Sequence, residues 1–343
     1  MRVLPFLSAA ALALALTSCA RGGPADPAVL QPLPSASAQA ALPPVQLPQD
    51  DAPHQALTEW WYYTGHLSAA GGHAYGFELV IFQGTRADDP NAYAAHFAVT
   101  DNAANQFHWA DRTETGPQVH GAAGYALNMS GWQMGDSNGH DHLVADMPDY
   151  AVALDLTPDK PAVLHNGNGI ISFGPAGDSY YYSRTRLSVT GTVQDHGQPL
   201  AVTGQAWFDH QWGNFLTGSG GWDWFSLQLD DESDLMLFFL RDATGHPAGT
   251  YGTLVDQSGH ESQLPPGAVS DTPLGTWTSP TTGITYASGW TVTAANQSFT
   301  LTPTVRDQEL NPVHSTGFPY WEGAVNITGA RTGQGYVELV GYH

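Results

Sequence analysis

The sequence predicts an all-β protein, an antiparallel sandwich or barrel. Three observations carry this. The apolar residues recur with a period of two from about Leu57 onward. Turn residues punctuate the chain at strand-length intervals. The composition is rich in Gly (38), Trp (11), Tyr (14) and Phe (13), with only 12% charged residues. Pleated sheets favour aromatic residues and their turns favour Gly, whereas helical bundles are built from Ala, Leu, Glu and Lys.

The N-terminus comes first. Residues 1–18 combine one basic residue, Arg2, with a short apolar run, too short to span a bilayer, which takes ~20 residues. They read as a signal peptide. Leu16-Thr17-Ser18-Cys19 has the pattern of a lipobox, and Cys19 is the only cysteine. The expectation is lipidation at Cys19, anchorage to a membrane, and a bacterial cell envelope location facing the periplasm or exterior. A plain signal-peptidase site is the alternative. Residues 19–54 carry many prolines among Ala, Ser and Gln and read as a disordered, semi-extended linker.

The strands follow. Tyr75, Phe77, Leu79 and Ile81 alternate with Gly76, Glu78, Val80 and Phe82. Tyr93 to Thr100 alternates likewise, as do Trp222 to Leu229 and Tyr336 to Tyr342. Leu235 to Leu240 is an unbroken apolar run of strand length without an ionisable residue. Gly71-Gly72, Asn138-Gly139, Asp230-Asp231-Glu232-Ser233 and Gly333-Gln334-Gly335 mark turns. The length after the linker predicts two domains, 55–195 and 196–343, divided at the polar stretch Gln194 to Gln198. A short echo couples Trp and Glu near Glu59 and again near Glu322.

The formal charge of −22, from 32 acidic and 10 basic residues, argues against nucleic acid as a partner, because that binding rests on Lys and Arg. The chain holds one lysine, Lys160. The carboxylates in turns keep an aromatic-rich chain soluble, and a monomer is expected. No phosphate-binding Gly loop, GxSxG elbow or HExxH stretch is present. His140-Asp141-His142 lies on a turn and reads as solvated, so no metal and no cofactor is predicted.

Two regions carry the chemistry. In a strand, Glu59, Trp61 and Tyr63 face one side and Trp60, Tyr62 and Thr64 the other, so both sides are covered: one by a barrel interior, one by a neighbouring domain. Gln205 to Trp224 packs Asp209, His210, Asp223 and four tryptophans, including Trp212, Trp222 and Trp224, into 20 residues. A carboxylic acid buried among aromatics keeps its proton and becomes a donor. Ring faces are negative and stabilise a developing cation. This is the equipment for protonating a carbon–carbon double bond, with Asp209, His210 and Asp223 as the catalytic candidates. The competing reading is an Asp–His pair capping a turn, with the tryptophans as core.

The same residues resemble a known family. Glu59-Trp60-Trp61-Tyr62-Tyr63-Thr64-Gly65-His66, Trp207-Phe208-Asp209-His210-Gln211-Trp212-Gly213, Gly221-Trp222-Asp223-Trp224 and Tyr320-Trp321-Glu322-Gly323 look like AttH-like proteins and hydroxyneurosporene synthases (carotenoid 1,2-hydratases), in order from about residue 57 to 342. The resemblance implies two lipocalin-like β-barrels and a secreted or lipid-anchored protein. It implies a cofactor-independent hydratase or isomerase of an apolar polyene or terpenoid, with Glu59, Trp60, Tyr62, Trp212, Trp222, Trp224 and Glu322 lining the substrate site. A non-catalytic carrier of a hydrophobic ligand and a secreted glycan hydrolase are the alternatives.

Overall fold

The structure, a computed structural model, describes residues 42–86, 89–116, 124–137, 139–215 and 220–343. The predicted signal peptide, Cys19 and most of the predicted linker lie outside these residues. No α-helix occurs among the described residues, and the strands form two nearly closed antiparallel barrels.

The first sheet takes its strands from the first two-thirds of the chain: β1 (Thr58–Ala69), β2 (Ala74–Arg86), β3 (Asp89–Asp101), β4 (Gln106–Thr115), β5 (Ala126–Met129), β6 (Trp132–Ser137), β7 (His140–Asp146), β8 (Tyr150–Pro158), β9 (Val163–Leu164), β10 (Ile170–Ser172), β11 (Asp178–Asp195) and β12 (Gln198–Gly213). Its main order is β4-β3-β2-β1-β12-β11-β8-β7-β6-β5. The second sheet is built from β13 (Gly221–Leu229), β14 (Asp234–Arg241), β15 (Pro247–Val255), β16 (Glu261–Leu264), β17 (Val269–Pro273), β20 (Trp290–Ala294), β21 (Gln297–Pro303), β22 (Glu309–Leu310), β23 (Tyr320–Gly329) and β24 (Gly333–Val340). Between β17 and β20, β18 (Thr276–Thr278) and β19 (Thr285–Ala287) form a separate ribbon. The second order is β16-β15-β14-β13-β24-β23-β21-β20-β17. By sheet position β13 is therefore the counterpart of β1, and β24 that of β12. In strand order the counterpart of Glu59-Trp60-Trp61-Tyr62 is the strand of Trp222-Asp223-Trp224-Phe225, not the Glu322 strand.

The chain changes sheet between Gly213 and Gly221, later than the polar stretch at 194–198 predicts. That stretch is a hairpin turn. Asp195 pairs with Gln198, and the two residues between them, His196 (φ 49°) and Gly197 (φ 79°), both take the left-handed conformation that a two-residue turn needs to match strand twist. A polar hairpin tip and a polar linker look alike in composition. The predicted linker does not run as far as residue 54, because Asp51 is buried and His54 partly so.

Each barrel has its own core. Trp61, Tyr63, Phe208 and Trp132 fill the first, and Phe225, Trp290, Trp321 and Leu339 the second. A third apolar cluster lies between the sheets, where Trp60, Tyr62, Trp207 and Tyr181 meet Trp222, Trp224, Phe238, Tyr320 and Tyr336. Each such ring buries roughly 150–250 Å². At about 25 cal/mol per Å² that is on the order of 4–6 kcal/mol of transfer energy, before ordering costs. The two sheets come close at Gly76: a Cβ there would stand 2.9 Å from the Ala324 methyl and collide with the Tyr336 hydroxyl.

An ionic clamp reinforces this seam. Asp234 of the second sheet, fully buried, accepts hydrogen bonds from Lys160 (2.7 Å), Thr185 (2.9 Å) and Arg186 (2.6 Å) of the first. Three donors on one carboxylate satisfy a charge that burial would otherwise penalise heavily.

Candidate functional site

Strand alternation sorts the predicted residues into three places. Trp60, Tyr62, Asp209, Trp222, Trp224 and Glu322 all face the seam between the sheets. Glu59, His210 and Trp212, from the same strands β1 and β12, face the interior of the first barrel. Asp223, on β13 between Trp222 and Trp224, faces the second barrel. The seam thus unites six of the ten residues, and the other four are corrections to a single-site expectation. Neighbours in a strand point to opposite sides, so Asp209 and His210 cannot act on one substrate from one face.

The seam gathers four carboxyl groups. Asp209 accepts from Trp207 Nε1 (2.6 Å), Tyr181 Oη (2.6 Å) and Ser183 Oγ. Tyr181 in turn accepts from Trp224 Nε1 at 2.9 Å. Burial pushes the Asp209 carboxyl up to about 7, against the pull of these donors. Glu322, 1% exposed, accepts from Tyr62 Oη at 2.7 Å through Oε1. Glu78, equally buried, accepts from Tyr320 Oη at 3.0 Å. Glu338 retains a little accessible surface and accepts from Trp222 Nε1 at 2.8 Å. Glu322 and Glu338 are direct cross-strand partners.

Burial raises all of these acids toward or above neutrality. Burial pushes Glu78 up to about 8, with the charge of Glu338 adding to the rise. Burial pushes Glu338 up to about 7, helped by Asp209. Glu322 is driven well above the carboxylate range by burial, then by the charges of Glu78 and Glu338. The second oxygens, Glu78 Oε2 and Glu322 Oε2, are buried without a hydrogen-bond partner among the described residues, as is Thr64 Oγ1. Thr64 pairs with Glu78 across β1 and β2. Buried polar atoms are normally satisfied, so three orphaned oxygens on one face are an unusual concentration.

The histidines on this face are neutral. Burial lowers His96 to about 3 and His66 to about 4. His96 lies between Tyr320 Oη (2.7 Å) and Ser315 Oγ (3.0 Å), and so links Glu78 through Tyr320 to Ser315. A neutral imidazole with a donor on one side and an acceptor on the other can pass a proton by changing tautomer.

Inside the first barrel, Glu59 is fully buried. Its Oε1 contacts His54 Nδ1 (2.8 Å) and His210 Nε2 (2.9 Å), while Oε2 accepts from the His54 backbone N–H (2.8 Å) and Gln83 Nε2 (3.0 Å). Burial raises the Glu59 carboxyl, but the two histidines outweigh it and the net shift is downward. His210 is lowered by burial. Trp212 stacks on His54 at 4.2 Å, with the rings nearly parallel. No metal ligand was expected from the sequence, yet the fold brings these three side chains together. His140 and His142, by contrast, are exposed and bond Thr157 and Asp155.

In the second barrel Asp223 accepts from Arg241 Nη1 at 2.6 Å and from Tyr342 Oη at 3.0 Å. Burial raises it, as the sequence predicts, though Arg241 pulls it down. Its surroundings are those of a structural ion pair.

Glu78, Glu338, His96, Tyr181 and Tyr320 join the site through the fold. The available signal was the lone acid in an apolar strand: Glu78 between Phe77 and Leu79, and Glu338 between Val337 and Leu339. Leu235 to Leu240 has no acid, and its seam-facing members, Met236, Phe238 and Leu240, supply only apolar wall.

Comparison with known proteins agrees with this architecture. A family model described as AttH-like matches residues 38–342. A Nitrosomonas europaea protein assigned as an AttH shares the fold at a TM-score of 0.81 and 32% identity, over 88% of this chain and 98% of that one. Kievitone hydratase from Nectria haematococca superposes at a TM-score of 0.71 and 18% identity, over 88% and 94%. Kievitone hydratase from Fusarium solani subsp. phaseoli is 30% identical over 124 residues, 32% of this chain and 35% of that protein, so the alignment spans about a third of the relative's length.

Proposed function

The chain belongs to the AttH-like family, and from that premise we propose that it is a hydratase or isomerase that protonates a carbon–carbon double bond in the seam between its barrels. The single observation carrying this reading is the set of buried seam acids, Glu322 above all, that keep a proton near neutral pH beside aromatic walls. The partial sequence likeness to kievitone hydratase supports the same reaction class.

Glu322 is the proton donor in this reading. Tyr62 holds its Oε1, which leaves Oε2 free to give a proton to one alkene carbon. The cation that forms on the other carbon lies against ring faces, among them Tyr62 and Trp224, whose centroids are 5.5 Å apart. Water then adds to the cation and returns a proton to the Glu322 carboxylate. The net change is one water added, and the acid is regenerated. Loss of a different proton from the cation gives isomerisation instead. No cofactor enters this sequence of steps. Asp209 keeps a seam role through its field on Glu322, whereas His210 and Asp223 leave the catalytic set because they face other compartments.

The substrate class is an apolar polyene or terpenoid, which the lining of tryptophan and tyrosine suits. The glycan-hydrolase alternative requires an open groove with two exposed carboxylates, and the seam carboxyls are enclosed. The carrier alternative keeps the apolar lining and omits turnover. The lipid anchor at Cys19 and a cell-envelope location complete the proposal, and would place the site near a source of apolar substrates.

The test is incubation with acyclic carotenoids in ¹⁸O-labelled water. A tertiary alcohol carrying ¹⁸O is the expected product. Retention of the polyene without product would favour the carrier, and neither product nor binding would overturn both readings.

A further inference from the structure

We propose that His54, Glu59 and His210 form a binding site for one divalent transition-metal ion of the zinc class, separate from the seam. Two imidazoles and a carboxylate are a ligand set suited to zinc, with a fourth position left for water. The three donor atoms lie within 4.8 Å of one another. Around a tetrahedral zinc, ligand atoms at ~2.1 Å from the metal sit about 3.4 Å apart. The 2.8 and 2.9 Å separations of Nδ1 and Nε2 from Glu59 Oε1 need to open by only about 0.5–0.6 Å.

The surrounding groups suit a metal. His54 Nε2 faces the Asp50 carboxylate at 3.5 Å, and His210 Nδ1 faces Tyr182 Oη at 3.4 Å. With a metal bound, each ligand has a partner behind it. His54 Nδ1, His210 Nε2 and Glu59 Oε1 turn their lone pairs to the ion. His54 Nε2–H donates to Asp50, and His210 Nδ1–H donates to Tyr182 Oη. This is the outer-shell support that metal-bound histidines ordinarily have. Glu59 Oε2 is already held by Gln83 and the His54 backbone N–H. The rings are oriented by stacking, His210 on Trp61 (4.8 Å) and His54 on Trp212 (4.2 Å).

The site is reachable. The His54 side chain is 23% exposed and lies on the segment that closes the barrel, whereas Glu59 and His210 are fully enclosed. Binding would therefore fasten residues 46–54 to the barrel. It would also sit on the opposite face of β1 and β12 from the seam acids.

The test uses the full chain, stripped with a chelator and titrated with Zn²⁺ and Co²⁺ alone. The expected result is one ion per chain by elemental analysis, a four-coordinate Co²⁺ visible spectrum, and a higher melting temperature with metal. His54→Gln, at the partly exposed ligand, is expected to weaken binding by more than about tenfold and to abolish the metal-dependent rise in melting temperature. Its metal-free melting temperature should stay near that of the parent. His142→Gln, at an exposed histidine, controls for surface binding and should change nothing. Uptake well below one ion per chain, or equal binding by His54→Gln, would overturn the site.

Discussion

Glu322 and Glu338 stand directly opposite one another on β23 and β24, both turned toward the seam. Two like charges so placed repel. The pair is tolerable only if at least one of the two is protonated, and burial favours that form of both. A cross-strand pair that would weaken an ordinary sheet thereby becomes a store of available protons.

Removing the donor tests its role. Glu322→Gln keeps the shape and the acceptor for Tyr62 but cannot protonate an alkene. Turnover should fall by about 10²–10⁴-fold, the usual contribution of a general acid, while ligand binding by native mass spectrometry persists. A loss below about tenfold would assign the proton to another group.

The seam acids also predict a pH dependence with a definite sign. Their folded values lie above the unfolded carboxylate range, so the protonated forms belong to the native state. The stability they contribute is complete below the unfolded pKa and is lost as pH rises toward about 8, the value for Glu78. Above about pH 6.5, where the buried neutral histidines His66 and His96 no longer act in the opposite sense, melting temperature should therefore fall up to about pH 8, and Glu78→Gln should flatten that slope. Turnover should decline on the alkaline side in parallel, because the donor must be protonated. A melting temperature that rises over this range would contradict the assignment.

Asp223→Asn separates the second barrel from the reaction. Asp223 is bound to Arg241 and Tyr342, away from the seam. Turnover should stay within about twofold of the parent, while stability drops by roughly 1–3 kcal/mol through weakening of a largely buried charged hydrogen bond. Steady-state kinetics and urea denaturation together read both effects.

Asp234→Ala tests the ionic clamp. It leaves Lys160 and Arg186 buried with no carboxylate between them. The expected cost is about 3–5 kcal/mol, measured by chemical denaturation. If the cost is near zero, the aromatic cluster alone holds the sheets together.

Much of this architecture is legible in the sequence, for identifiable reasons. The period-two run at Glu59-Trp60-Trp61-Tyr62-Tyr63 implies a strand covered on both faces, and it has a barrel core on one side and the second sheet on the other. The same periodicity, followed through Asp209-His210, would have separated those two residues; proximity in sequence suggested one site instead. The role of Glu78 and Glu338 is not legible locally, because it comes from strands far away in the chain. Glu78 meets Tyr320 across 242 positions, and His96 meets the same tyrosine across 224. His54 fell in what composition marks as linker, yet its partners Glu59 and His210 carry it into the barrel.

The only lysine of the chain is 4% exposed at its side chain and locked against Asp234. Amine-directed reagents therefore find no side chain to acylate on the folded surface, apart from an α-amino terminus. One new label should appear only when the sheets part. A single succinimidyl ester reaction, read by intact mass, becomes a yes-or-no gauge of whether the two barrels are still joined.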